Sequence, residues 1–203
     1  MGRSFYSPSK TGLYMSFLIH QPLMVENSLL VTAAAAVAVA DATEKICQVT
    51  TQIKWVNDIY INGKKVCGIL TEGSFNIETG LLDYIIIGIG VNIFTEAFPD
   101  EIEKTATSVL TKEHPEILRN NLAAEIINNL ISYCDNGIKS ETFMPRYKSL
   151  SFIIGKNINI ISGDKKEPAF VSDIDEKAQL IIIDKNQQKR IINSGEVSIR
   201  LNN

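Results

Sequence analysis

Four short clusters hold most of the residue types suited to polar chemistry. The densest is Lys54-Trp55-Val56-Asn57-Asp58, where a cation, an amide and a carboxylate close an apolar run. Such groups suit a phosphate, a metal ion or the polar edge of a substrate, although Asn and Asp equally serve a turn by bonding local backbone. The second is Gly63-Lys64-Lys65-Val66-Cys67-Gly68. Strict strand alternation predicts Lys65 on the face of Cys67 and Ile69, with Lys64 opposite. A lysine turned inward needs an anion; the other reading is a solvated pair near a hairpin tip. The third is Gly88-Ile89-Gly90-Val91-Asn92. Alternate glycines strip one face of a strand, so a flat ligand can lie against the backbone or a helix can pack close to it. No glycine continuation opens a helix, so this is not a dinucleotide fingerprint. The fourth is Gly2-Arg3 with Ser7-Pro8. An arginine in such a loop can grip a phosphate through two parallel hydrogen bonds, or can simply be solvated.

Composition narrows the chemistry. The 203 residues are 45% hydrophobic and 21% charged, which suits a globular chain with enough apolar surface to offset ordering entropy. A net charge of −3 provides no basic field for non-specific nucleic-acid binding. Cys47, Cys67 and Cys134 are widely spaced and form no CxxC, against a disulfide framework or a thiolate zinc site. His20 and His114 are the only two histidines, so no fixed protein metal site is expected. A reducing, cytoplasmic setting follows. The start lacks the apolar run of a signal peptide. Leu29 to Ala40 falls short of the roughly 20 residues of a membrane span, and reads as a buried helix with no membrane partner. The sequence offers no Ser-His-Asp set, P-loop or HExxH motif, and Cys67 reads as packing.

The elements that must position these clusters are legible in outline. Leu13 to Ile19 reads as a buried strand, and residues 26–46 as an Ala-rich helix capped by Asn27 or Ser28. Val49 to Trp55 is the next strand. Asn62-Gly63 between apolar runs predicts a type I′ hairpin. A second hairpin joins 69–77 to 82–91 around Glu78-Thr79-Gly80, and Tyr84 to Val91 reads as a central strand. Residues 95–112 are irregular with a short helix. Glu116 to Asp135 has helical spacing, with Leu118, Leu122, Ile126, Ile127 and Leu130 on one side and Gly137 as its stop. Thr142 to Leu150 is a shorter helix. Strands then recur at 158–161, 169–174, 178–183, 189–192 and 197–201, with turns at 162–164 and 175–176, a spacing that suggests a small barrel. The expected division is an α+β domain over 1–150 and a β domain over 151–203.

In order and spacing, these pieces resemble the biotin protein ligases, the biotin–[acetyl-CoA carboxylase] ligase family. The run is Gly2-Arg3, Ser7-Pro8, Gly12 to Ser16, Lys54 to Ile59, Gly63 to Glu72, then Gly88 to Ile93. The resemblance implies a class II synthetase-like domain of the biotin/lipoate ligase type, with a mixed sheet packed on helices, followed by an SH3-like β-barrel. It implies formation of biotinyl-AMP from biotin and ATP with Mg²⁺, then transfer of biotin to a lysine of the biotin carboxyl carrier protein of acetyl-CoA carboxylase or a related carboxylase. Lys65 and Arg3 are the implied catalytic residues. Lys65 would touch the biotin carboxylate, and Arg3 would belong to the loop over the adenylate. Gly68, Leu70 and Gly88 would wall the biotin ring. Lys54, Asn57 and Asp58 would face the phosphates and Mg²⁺, with Gly90 and Asn92 near the nucleotide. A homodimer is implied by the family's edge-to-edge sheet pairing.

Departures are visible. Val56 stands where the family usually has Pro, Cys67 where it has a small residue, and Phe5 where Trp is frequent. Gly2-Arg3 matches only the last part of the family's Gly-Arg-Gly-Arg-x-Gly-Arg loop, and the preceding Ser/Thr-Asn motif and Gln have no counterpart. The expectation is therefore a ligase truncated at its N-terminus, without the winged helix of a repressor. The competing expectation is a non-catalytic homologue that binds a nucleotide or a protein partner.

Overall fold

The computed structural model describes residues 5–20, 23–110, 116–134, 137–162, 165–193 and 198–201. The first sheet contains β1 (Gly12–Ile19), β2 (Gln52–Lys54), β3 (Asp58–Ile61), β4 (Lys64–Phe75) and β5 (Leu82–Asn92), in the order β1-β5-β4-β3-β2. β5 is thus an interior strand, as its apolar run predicts, but β4 holds the middle position, and Tyr84 and Ile86 on the second face of β5 are exposed. The expected mixed sheet is corrected. Every strand pairing among the described residues is antiparallel, and parallel contact is confined to isolated bridges. The reason is connectivity: β2 to β5 follow one another through short turns, and tight turns reverse the chain. Asn62 and Gly63 have φ of 50° and 75°, the positive pair that a type I′ turn requires.

Helix α1 (Ser28–Cys47) covers one face of this sheet. Ala33 to Ala40 are all fully buried, because sheet, α3 (Glu116–Cys134) and α4 (Ser140–Leu150) surround the helix. A helix enclosed on all sides needs small apolar residues around its circumference. Asn27 precedes it but makes no side-chain capping bond, so the expected cap is not formed. On α3, Leu122, Ile126 and Leu130 are buried while Ile127 is 36% exposed, which narrows the predicted apolar stripe. Gly137 follows α3 with φ of 94°, as its role as a stop requires. Between β5 and α3 lies the short α2 (Asp100–Glu103).

The second sheet contains β6 (Asn157–Ser162), β7 (Lys165–Ile174), β8 (Leu180–Asp184), β9 (Lys189–Ile192) and β10 (Ser198–Leu201), in the order β10-β6-β7-β8-β9. Its pairings are antiparallel. Among the described residues β9 and β10 are separate edges, so hydrogen bonding does not close the sheet into a ring. β8 begins later than the sequence suggests, because Ala178 has φ of 60° and belongs to the preceding turn. The turn predicted at Gly163-Asp164 and the strand start at Val197 lie outside the described residues. One apolar cluster runs from Leu13 to Ile192 and includes side chains of both sheets.

This packing predicts opposite volume effects at two fully buried positions. Ile87→Ala leaves a cavity in the core on the buried face of β5 and is expected to cost about 2–5 kcal/mol. Ala36→Leu overfills the helix–sheet contact and should cost about 1–3 kcal/mol. Urea denaturation of the two variants checks both; a neutral Ala36→Leu would contradict the close approach of α1.

Candidate active site

With one sheet face sealed by α1, polar and glycine residues collect on the other. On β1 the side chains of Tyr14, Ser16 and Leu18 are exposed, and those of Met15, Phe17 and Ile19 are turned toward the core. Register places Ser16 opposite Gly88 and Tyr14 opposite Gly90. Gly68 pairs with Gly90, and Leu70 with Gly88. Three adjoining strands thus present a floor with little side-chain bulk.

Lys65 reaches this floor through a bulge. β3 pairs Ile59 with Cys67 but Tyr60 with Lys65, so Val66 is an extra residue on β4. Val66 and Cys67 are both buried. A bulge reverses the alternation beyond it. Lys65 therefore shares the open face with Gly68 and Leu70, and the expectation that it shares a face with Cys67 and Ile69 is corrected. A Cβ on Gly68 would lie 3.1 Å from Lys65 Nζ. Beyond the end of β5, Thr105 to Thr107 runs alongside β4: Lys65 N donates to Thr105 O at 2.8 Å, and Thr107 N donates to Lys65 O at 2.9 Å. The backbone of Lys65 is held on both sides.

The turn between β2 and β3 brings the second polar group. The Trp55–Val56 peptide bond is cis. Asn57 Nδ2 donates to Ile69 O at 2.6 Å, and Ile69 N donates to Asn57 O at 3.0 Å. This reciprocal pair pins Asn57 to β4. Asp58 Oδ1 then lies 2.6 Å from Lys65 Nζ, with both side chains partly exposed. Phe5 lies above, its ring centroid 6.0 Å from Lys65 Nζ. A Cβ on Gly90 would come within 2.8 Å of the Phe5 ring. Glycine is thus required there by the aromatic above it, and the competing reading of close helix packing does not apply to this face.

Asn57, Asp58, Lys65, Gly68, Leu70, Gly88 and Gly90 line one open cleft of about 800 Å³. Two expected residues do not. Lys54 Nζ lies 5.9 Å from the centre of the Tyr60 ring. Asn92 is buried and donates to Thr107 O at 3.3 Å, while its Oδ1 has no partner in the structure. Arg3 lies outside the described residues. Phe5, Ser7, Tyr14, Met15 and Ser16 also line the cleft without having been assigned from sequence; the usable signal was the alternation of β1, once paired with the glycines of β5. The described residues contain no cluster of three His, Cys, Asp or Glu able to hold a metal. Among the described residues a single carboxylate, Asp58, lines the cleft, which suits Mg²⁺ carried in with substrate phosphates, since that ion takes one or two protein carboxylates and completes its shell with phosphate and water.

An α+β chain with an antiparallel sheet, helices on one face and a lysine-bearing cleft on the other has the fold of the biotin protein ligases. The structure of the Aquifex aeolicus biotin protein ligase matches with a TM-score of 0.78 at 28% identity, covering 95% of this chain and 83% of that one. The same protein in complex with biotin and ATP matches with a TM-score of 0.76, covering 95% and 79%. Residues 1–92 match the model of the biotin/lipoate A/B protein ligase family. It is 36% identical over 129 residues to the bifunctional ligase/repressor BirA of Bacillus spizizenii, or 63% of this chain and 39% of that one. It is 25% identical over 206 residues to BirA of Escherichia coli, or 98% and 62%. The chain thus spans less than two thirds of these curated relatives.

Burial of titratable groups gives the fold a pH signature. Desolvation pushes the Cys47 and Cys134 thiols up from 9.0 to about 11, and, with the nearby Asp58 charge adding to it, the Tyr60 hydroxyl from 10.0 to about 12. Desolvation raises Cys67 and Tyr147 further still. The folded state holds these protons more tightly than the unfolded chain, so their contribution is complete below about pH 9 and is lost as pH rises toward 11–12. Melting temperature should fall steadily across that range. A flat profile between pH 9 and 11 would contradict the burial.

Proposed function

We propose that the chain is the catalytic part of an ATP-dependent biotin protein ligase, with residues 1–150 as the ligase domain and 151–203 as the family's small SH3-like β domain. The observation that carries the reading is Lys65 projecting over a glycine floor beside Asp58. In the first step a biotin carboxylate oxygen attacks the α-phosphorus of ATP and pyrophosphate leaves. Lys65, a fixed cation at the forming anhydride, stabilises the charge that develops there. Gly68, Leu70 and Gly88 wall the bicyclic ring. Gly90 lies toward the nucleotide, Asn92 supports that end of β5 from beneath through Thr107, and Arg3 is assigned to adenylate binding by the resemblance. Asn57 and Asp58 face the phosphates, and Mg²⁺ bound with them neutralises phosphate charge. In the second step a carrier lysine amine attacks the anhydride carbonyl and AMP leaves. Proximity supplies much of that rate, because the anhydride is already activated. The partner is a biotin carboxyl carrier domain of a carboxylase. The three cysteines form no disulfide, which suits a reducing compartment such as the cytoplasm, and no helix among the described residues is long and apolar enough to cross a membrane.

The test is biotin-dependent exchange between ATP and labelled pyrophosphate. Lys65→Ala should lower exchange roughly 100-fold or more with an unchanged melting curve; undiminished exchange would remove Lys65 from the mechanism. A copy extended upstream, run beside this chain, reports whether further ligand contacts lie there. Silence from both folded proteins would favour a non-catalytic homologue.

A further inference from the structure

The turn that carries Asn57 and Asp58 is held from a distant part of the chain. Trp55 is the only tryptophan in the sequence and is 7% exposed. Its indole Nε1 donates to Ala178 O at 2.8 Å. Tyr147, fully buried on α4, donates its hydroxyl to Val56 O at 3.0 Å. Asn57 is then pinned to Ile69, and Asp58 meets Lys65. Four consecutive residues are thus fixed by three elements: the β7–β8 turn holds Trp55, α4 holds Val56, and β4 holds both Asn57 and Asp58.

The acceptor for Trp55 is purpose-shaped. Ala178 sits at the tip of the β7–β8 hairpin with φ of 60°, a conformation that a residue bearing a Cβ adopts only when its surroundings impose it. Asp175 imposes it. Its Oδ1 accepts from Lys177 N at 2.9 Å and Gln179 N at 2.8 Å. Asp175 N donates to Gln179 O, and Ala178 N to Asp175 O. The result aims one carbonyl of the second sheet at the indole. Lys148 of α4, 3.4 Å from Asp173 and 3.5 Å from Glu176, ties the same tip down from the other side.

We infer that the Asp175–Gln179 hairpin tip is a positioning element for the phosphate-facing turn, acting through the Trp55 indole to hold Asn57 and Asp58 against β4. The second sheet is therefore a working part of the nucleotide site, although its tip lines no part of the cleft. The claim rests on the proposed ligase reading for its kinetic consequence but not for its structural one. Burial of an indole N–H demands an acceptor, and a carbonyl supplied by another sheet makes the turn's geometry depend on that sheet.

The test uses the whole chain. Trp55→Phe removes the donor together with part of the ring's packing; Asp175→Ala keeps the whole indole and loosens only its acceptor, so it separates the hydrogen bond from the packing. The Ile69 amide, which donates to Asn57 O, is the reporter. Its hydrogen-exchange rate should rise roughly tenfold in each variant, the effect of one lost hydrogen bond. The double variant should be no worse than either single one, because both break the same link. In the ¹⁵N spectrum the single indole N–H signal should shift and lose protection in Asp175→Ala. Ile182→Val, a fully buried change elsewhere in the second sheet, should leave the local exchange of Ile69 unaltered. In pyrophosphate exchange both test variants should raise the KM for MgATP severalfold without moving that for biotin. Unchanged Ile69 protection, fully additive effects, or an equal effect from Ile182→Val would overturn the inference. Loss of all pyrophosphate exchange in the wild-type chain would count against the ligase reading alone, since the amide and indole signals decide the coupling.

Discussion

Helix α1 lies on one face of the first sheet with its alanines fully buried, and the remaining architecture follows from that contact. Small side chains let the helix approach closely, and α3 and α4 complete the enclosure through the Arg146 pairs with Asp41 and Glu44 and the Lys45–Glu125 pair. Once that face is sealed by Ile85, Ile87, Ile89 and Val91, the opposite face alone remains for a ligand. The glycines of β4 and β5, and the polar residues of β1, are confined there by the period of a strand.

Against this floor the site is built by two local irregularities. The bulge at Val66 delivers Lys65 to the open face, and the reciprocal Asn57–Ile69 hydrogen bonds deliver Asp58 to Lys65. Both charged groups keep some contact with water, which limits the cost of holding them beside apolar surface. Backbone bonds to Thr105 and Thr107 fix the base of Lys65, and Asp58 holds its ammonium at the cleft.

The two sheets divide the labour unequally. The first supplies every described residue that lines the cleft on a strand, and the second supplies none. Yet the edge strand β2, which leads into Trp55, is bridged to Ser151, and the Phe152 ring packs against Tyr60 at a tilt of 60° with centroids 5.3 Å apart. The apolar core is continuous across this junction. A boundary near residue 150, sensible from composition, marks a change in architecture but not a break in packing.

How much of this was legible beforehand depends on the range of the interaction. The hairpin at Asn62-Gly63, the interior position of β5, the burial of the alanine helix and the grouping of Lys65, Asn57, Asp58 and the glycines were all readable, because each rests on local backbone preference or on motif order along the chain. The face occupied by Lys65 was not, since alternation assumes a regular ladder and the bulge depends on how β3 pairs with β4. The exclusion of Lys54, the burial of Asn92 beneath Thr107 and the role of Phe5 above Gly90 likewise required the folded chain. So did the link from Trp55 to Ala178, which joins residues far apart in sequence. By itself the sequence determined which elements form and which chemistry they can bear. Tertiary structure alone decided which side chains share a cleft, because a single extra residue in a strand, or one carbonyl from a distant turn, redirects a side chain without leaving a local signature.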